Sequence, residues 1–261
     1  MKKKILFITT RNPYSGRYSG DVIRSLKIIK LLKKKYFLDV VCLKESGKKI
    51  NENNVVSFSY PNFLIRMIFC FFSLIKLKPV QFGLFYSKEM KLHIDNCADN
   101  YDYLFFHTIR SSQYLPKSFH NKIIMEMGDL YSDNYFQTFK NLNFINPLKY
   151  IYYLESLLVK NVEAKIFDEY DRVTLFSKKE AGKINKKFKE KVFQIDESVE
   201  NVNNKFSFSE KNNRILFIGN LNYLPNFLAC KDFIKNILPK LKKVIPDIKF
   251  TIIGNINKIN K

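Results

Sequence analysis

The residues best able to do chemistry fall in four stretches of the chain. In the first, Lys4 to Asp21 (KILFITTRNPYSGRYSGD), a short apolar run, Ile5-Leu6-Phe7-Ile8, empties into a turn holding Pro13, Gly16 and Gly20, and a helical pattern starts at Asp21. Glycines in such a turn let backbone N–H groups approach a ligand closely, and a helix N-terminus favours negative charge. A phosphate or carboxylate is therefore the natural guest. Arg24, one turn into the helix, could reach the same anion, or it could be a surface arginine paired with Asp21. The turn has neither the G-x-G-x-x-G of a dinucleotide site nor the G-K-[ST] of a P-loop. In the second stretch His107 ends Tyr103-Leu104-Phe105-Phe106, at the strand end where ligands of open α/β sheets gather. It reads as a hydrogen-bonding group or base, or as a satisfied core histidine. His93 and His120 read as surface residues. The third stretch, Lys122 to Met127, places Asp129 in the same relation with Glu126 three residues before it; the alternative for Asp129 is a cap on a helix starting at Ser132. The fourth is Gly219-Asn220 with Tyr223-Leu224-Pro225-Asn226, ahead of another helix. A diphosphate could meet backbone N–H groups there, and the alternative is an ordinary turn with an N-cap at Asn226.

The elements that must position these groups alternate strand and helix. A helix from Asp21 to about Tyr36 carries the stripe Val22, Leu26 and Ile29, widened by Ile28 and Leu32. Asp39-Val40-Val41-Cys42-Leu43 reads as a fully buried strand, and Val55 to Tyr60 as another, ended by Pro61. Helices are expected over Ser87 to Asn96 and from Pro147 to about Tyr170, the latter with Leu154, Leu157, Leu158 and Val162 as its buried stripe. Arg172 to Phe176 and Lys191 to Ile195 read as short strands separated by a Lys-rich helix. The polar run Asp196 to Asn213 has no periodicity and reads as a linker. Beyond it Arg214-Ile215-Leu216-Phe217-Ile218-Gly219 repeats the strand-then-glycine opening. A helix over about Asn226 to Val244 and a strand Ile248 to Ile253, ending at Gly254, follow. The expected fold is α/β: a Rossmann-like parallel sheet with helices on both faces over 1–195, a linker over 196–213, and an incomplete second Rossmann-like lobe over 214–261.

Phe63 to Ile75 (FLIRMIFCFFSLI) is the most apolar segment, yet it falls short of the roughly 20 residues that cross a bilayer and carries Arg66. It is either a helix buried between layers or an apolar helix lying on a membrane face with Lys76 and Lys78 beside it. The chain has 261 residues, 46% of them hydrophobic, enough for a real core, and a formal charge of +21. Such charge ordinarily points to nucleic acid or anionic membrane, but no helix-turn-helix, RNP or zinc pattern accompanies it, and the chain is rich in Lys, Asn, Ile and Phe throughout. Cys42, Cys70, Cys97 and Cys230 form no C-x-x-C pair. With no signal-peptide pattern, reduced thiols in the cytoplasm are expected.

Five pieces in register resemble the GT-B glycosyltransferases, specifically the large family-4-like group and its sugar transferases from exosortase-associated polysaccharide loci. They are R-N-P-Y-S-G-R-Y-S-G-D-V-I-R-S (11–25), L-K-P-V-Q-F-G-L-F-Y-S (77–87), I-M-E-M-G-D-L-Y-S-D-N-Y (124–135), D-R-V-T-L-F-S-K-K-E-A (171–181) and I-L-F-I-G-N-L-N-Y-L-P-N (215–226), followed by F-T-I-I-G (250–254). The resemblance implies two Rossmann-like lobes facing each other across a cleft, the first receiving the acceptor and the second a nucleotide sugar, with no metal or other cofactor required. It implies acceptor or phosphate contacts at Gly20, Asp21 and Arg24, which occupy the family's G-D-x-x-R pattern, beside Gly16 of the same turn, and donor contacts at Gly219, Asn220, Pro225 and Asn226. Sugar transfer requires the acceptor hydroxyl to lose a proton, so Asp129 and His107 become the candidate catalytic groups.

Two departures stand out. The family's P-N-G-V-D turn appears as Ile195-Asp196-Glu197-Ser198-Val199-Glu200-Asn201, and the second lobe stops after 48 residues, before any E-x7-E pair. A truncated reading frame or a second chain completing the donor lobe is the expectation. The function expected is transfer of a sugar to a polysaccharide or lipid-linked acceptor, in the cytoplasm and with peripheral contact to anionic membrane through Lys33-Lys34-Lys35 and Lys186-Lys187. The alternative is a non-catalytic acceptor-binding lobe.

Overall fold

The computed structural model describes residues 2–16, 19–184, 186–196 and 213–255. The chain divides into two compact units, Met1–Ser198 and Val199–Lys261. Most of the expected linker, 197–212, lies outside the described residues.

The first unit holds β1 (Lys4–Thr9), α1 (Gly20–Lys35), β2 (Phe37–Lys44), β3 (Val55–Ser59), α2 (Phe63–Ile75), α3 (Val80–Leu84) and α4 (Lys88–Cys97). It continues with β4 (Tyr103–His107), β5 (Lys122–Gly128), α5 (Tyr131–Asn141), α6 (Leu148–Glu169), β6 (Arg172–Leu175), α7 (Lys178–Lys183) and β7 (Val192–Gln194). The strands form one seven-stranded sheet in the order β3-β2-β1-β4-β5-β6-β7, every pair parallel. A parallel sheet is covered on both faces, which is why β1, β2 and β4 are near-continuous apolar runs. Alternation divides them between two cores. Ile5, Phe7, Val40 and Phe105 pack with Ile29 of α1 on one face, while Leu6, Ile8, Val41, Leu43, Leu104 and Phe106 pack with Met90, Ile94, Val159 and Ile166 on the other. The chain builds outward from β1 to β3 and then returns to the other side of β1. This puts the topological switch point between β1 and β4, where open α/β sheets take ligands.

The long helix α6 forms where its periodicity places it, with Leu158 buried, but Leu154 and Leu157 are 44% and 45% exposed. Its inward positions include Glu155 and Glu163 instead. Glu163 has a structural use: its oxygens accept from the Ser132 amide at 3.0 Å and the Ser132 hydroxyl at 2.5 Å, capping α5 from a neighbouring helix. α5 is the helix expected from Ser132, beginning one residue earlier at Tyr131, whereas the short α3 was not expected as a separate element.

Of the two readings of Phe63 to Ile75, burial between layers is not what the structure shows. Cys70 is the one buried residue of α2, while Phe63, Leu64 and Phe71 are 68%, 72% and 62% exposed. None of the helices is long and apolar enough to cross a membrane among the described residues. α2 is held on α3 by close backbone approach at Gly83, where an added Cβ would lie 2.3 Å from the Cys70 amide nitrogen.

In the second unit β8 (Arg214–Ile218) and β9 (Lys249–Ile253) pair in parallel, joined through α8 (Leu224–Asp232), a π-helical turn Phe233–Ile237, and α9 (Leu238–Val244). The single helix expected over this span is interrupted because Pro239 has no N–H to donate, and the wider turn absorbs the missing bond. Phe233 packs on Phe250 with ring centroids 4.5 Å apart.

Replacing Gly83 by Ala forces backbone apart from backbone, with no flexible side chain to yield. We expect the substitution to lower the thermal midpoint by several degrees, consistent with roughly 1–3 kcal/mol for overpacking. An unchanged melting curve would show that α2 is not clamped at this point.

Candidate active site at the sheet switch point

The side chains that converge at the switch point do so because of strand parity and register. His107 and Glu126 are register partners on β4 and β5, and both share the parity of Phe105 and Ile124, the residues that face α1. Arg24 points down from α1 to meet them. Its Nε lies 2.5 Å from Glu126 Oε1, His107 Nδ1 lies 2.6 Å from Glu126 Oε2, and the three side chains are nearly inaccessible. The Arg24 guanidinium also stacks 3.8 Å above the Phe176 ring. Phe176 can sit so close because residue 128 is a glycine: φ is +83°, and a Cβ there would lie 2.9 Å from that ring.

Arg24 is thus not the surface arginine paired with Asp21. Asp21 instead binds Arg11, with Nη1 to Oδ2 at 2.9 Å. Its main-chain oxygen lies 3.0 Å from His107 Nε2. Both ring nitrogens of His107 therefore lie close to oxygen atoms, Nδ1 beside the Glu126 carboxylate and Nε2 beside the Asp21 carbonyl. Burial pushes the Glu126 carboxyl up, but the contacts from His107 and Arg24 outweigh it and hold the group below the usual glutamate value. A carboxylate kept anionic in this way anchors charge and is ill suited to take a proton near neutral pH. Thr108, directly after β4, has φ 65°, and its amide donates to the Glu126 carbonyl at 2.8 Å. Such strain in a non-glycine residue is characteristic of functional edges.

A second, more open group adjoins this buried one. Arg110, in the turn after β4, donates from Nε to Gln81 Oε1 at 2.8 Å. Its guanidinium lies 4.7 Å from the centre of the Phe85 ring, and that of Arg11 lies 5.9 Å from the same ring. One aromatic ring thereby gathers two cations, from the loops after β1 and β4. Glu155 of α6 is buried beneath, with Oε1 2.5 Å from the Val80 amide. Burial raises its pKa against the opposing pull of Val80, Gln81 and Arg110. Tyr131, first residue of α5, lies within the fields of Arg110, Glu126, Asp21 and Asp129, and burial drives its pKa up. Half-buried Asp129 lies beside Tyr131 and Glu180.

Gly16 has φ +68° with open space around it, and Gly20 opens α1, also unobstructed; residues 17 and 18 between them lie outside the described set. In the second unit α8 starts at Leu224 with Tyr223 as its cap residue, so Asn226 is not an N-cap. Pro225 sits in the first turn, where its missing N–H costs nothing. The Asn226 side chain closes the turn by donating to the Asn220 carbonyl at 3.1 Å, and the Gly219 amide bonds the Ile253 carbonyl at 2.9 Å. A shallow pocket at the opposite, amino-terminal edge of the first unit's sheet is lined by Lys3, Asp102, Lys122 and Asp171. Several of its polar groups are already engaged: Lys122 pairs with Asp171 at 2.9 Å, and Asp102 accepts the Lys4 amide at 2.8 Å.

Arg110, Gln81, Phe85 and Glu155 were not singled out by sequence reasoning. For Arg110 the signal was available, three residues beyond a strand end already marked by His107. Glu155 also left one, a lone acid inside the apolar half of a long helix. Gln81 and Phe85 lie on and just beyond a five-residue helix, too short for periodicity to mark them, within the 77–87 piece that carries part of the resemblance.

Because folding holds Glu126 below its ordinary value of 4.5, its contribution to stability is complete above that value and is lost as pH falls through the lower folded value. Urea unfolding from neutral pH down past the glutamate range should show this loss in the native chain and a shallower pH dependence in Glu126→Gln. That variant should also be less stable at neutral pH, by about 3–5 kcal/mol, as when one partner of a buried pair is removed. Equal pH slopes in the two proteins would contradict the assignment.

No protein-family model matches the chain, and no curated protein matches it significantly. Among solved structures, it is similar to Anabaena HepE in complex with UDP and glucose, at 14% identity and a TM-score of 0.43, over 97% of this chain and 69% of that one. It is likewise similar to Anabaena HepE in complex with UDP-glucose, at 13% identity and a TM-score of 0.43, over 98% of this chain and 70% of that one.

Proposed function

We propose that the protein is a glycosyltransferase that moves a sugar from a nucleotide-sugar donor to a saccharide or lipid-linked acceptor of a cell-surface polysaccharide, working in the cytoplasm. The observation that carries this reading is the convergence of Arg11 and Arg110 on the Phe85 ring at the switch point, with Asp129 beyond the end of the adjacent strand β5. Two guanidiniums at a strand-end crevice suit an anionic ligand, and a half-buried carboxylate after the neighbouring strand suits a hydroxyl. The five-part sequence resemblance supports the same class.

In the proposed reaction the acceptor oxygen bonds to the anomeric carbon as the bond from that carbon to the diphosphate oxygen breaks. The nucleoside diphosphate leaves with the bonding electrons, and the acceptor proton passes to the Asp129 carboxylate. His107 contributes as a positioning group, its ring fixed between Glu126 and the Asp21 carbonyl. Gly16, Gly20 and Asp21 line the acceptor side. Arg24 supports them through Glu126, because its Nε is already engaged there. Gly219, Asn220, Pro225 and Asn226 are the proposed donor-side residues.

The test is nucleoside diphosphate release by the chain from a panel of nucleotide sugars, UDP-glucose among them, with and without saccharide acceptors. Acceptor-dependent release is expected. Asp129→Asn should lower kcat about a hundredfold or more, and Arg110→Ala should raise KM with kcat largely kept. Saccharide binding by calorimetry without any release would instead support a non-catalytic acceptor-binding protein. Neither binding nor release would sink both readings.

A further inference from the structure

α2 is built inside out. A helix on the surface of a water-soluble domain turns apolar residues inward and polar residues outward. Here the inward face carries Cys70, buried, with Arg66, Phe69 and Ser73 half-buried around it. The outward face carries Phe63, Leu64, Ile68, Phe71, Phe72 and Ile75, each at least half exposed, and Leu77 just beyond is 74% exposed. The inward polar group is fixed: Arg66 donates from Nε to the Leu84 carbonyl at 2.9 Å, and its guanidinium lies 5.4 Å from the centre of the Tyr60 ring. With Gly83 pressed against the backbone of Phe69 and Cys70, α2 cannot roll over to hide its phenylalanines. An apolar surface of this extent marks a docking site.

We propose that this face of α2 docks on the surface of an anionic lipid bilayer. The helix has 13 residues, too few to span and enough to lie in the interface with its apolar face in the headgroup and acyl boundary. Charge selects the occupant. No aspartate or glutamate occurs between Glu52 and Glu89, whereas Arg66, Lys76, Lys78 and Lys88 do. The same holds between Asp133 and Glu155, a stretch that contains Lys140 and Lys149 and the exposed Leu148, Ile151 and Leu154. Lys78 lies close enough to Lys76 and Lys165 that, after burial, those two cations also push its pKa down. A two-fold contact between copies of the chain through this face would set these cations against their own images. Anionic headgroups neutralise them instead.

Through its inward face α2 also adjoins the candidate site. Arg66 stacks on Tyr60, and Tyr60 meets Phe85 edge-on at 6.1 Å, the ring that gathers Arg11 and Arg110. If the proposed transfer reading holds, the anionic head of a lipid-linked acceptor would meet those two arginines at the rim of the membrane surface.

Vesicle binding tests the docking without calling on turnover, so a chain that binds vesicles but transfers no sugar leaves this inference standing and removes the other. The full chain should co-sediment with phosphatidylcholine vesicles containing phosphatidylglycerol, less with phosphatidylcholine alone, and less as salt is raised. Leu64→Ser combined with Phe71→Ser should weaken partitioning about tenfold or more, with a nearly unchanged melting curve, since neither side chain is buried. Charge reversal at Lys76 should weaken the preference for anionic lipid. Absence of vesicle association, or equal binding by the double variant, overturns the proposal. So does a concentration-dependent dimer without lipid that the double variant dissolves.

Discussion

The edge of the sheet depends on one buried charge. Glu126 sits at the end of β5, where water cannot reach it, and a bare carboxylate in such a place would cost several kcal/mol. Arg24 and His107 remove that cost by each taking one of its oxygens. The consequence is geometric: α1, β4 and β5 are tied together at the crevice, and Phe176 closes over the arginine from the end of β6. The loops that carry Arg11 and Arg110 leave the strands immediately beside these ties. Their half-exposed guanidiniums can therefore be aimed precisely because the charge below them is already neutralised and immobile.

Much of this framework is legible in the chain. The strand Tyr103 to His107 is recovered residue for residue, because a run of apolar residues bounded by polar ones has one reading in a parallel sheet. Alternation along β4 and β5 would also have put His107 and Glu126 on the side of α1. What it could not supply is the partner of Arg24. Arg24 lies off the Val22–Ile29 stripe, and it is buried because Phe176 and Glu126, far away in sequence, come to cover it. Arg24 and Asp21 are near neighbours in sequence and so invite pairing, but in the folded chain Asp21 goes to Arg11.

α2 marks a different limit. Periodicity cannot distinguish a layer of protein from some other apolar phase, so both readings of its apolar content were open. Burial is decided by Gly83 and Arg66, which fix the face that α2 turns inward. α6 shows the converse. Its stripe identifies a helix, but Leu154 and Leu157 stay exposed, while Glu155 and Glu163 take inward places to serve the Val80 and Ser132 amides.

These buried carboxylates divide the labour of the first unit. Glu126 holds Arg24 and His107, Glu155 meets the Val80 amide at the start of α3, and Glu163 caps α5. Each is occupied by a structural partner. The less enclosed groups are Arg11, paired with Asp21, Arg110, bonded to Gln81, and Asp129. A buried ionised group gains its fixed geometry by giving up access, and an accessible one keeps access at the expense of rigidity. Placing the first kind directly beneath the second gives the accessible groups a rigid base. That arrangement lets short loops on an open sheet present charge at a defined place.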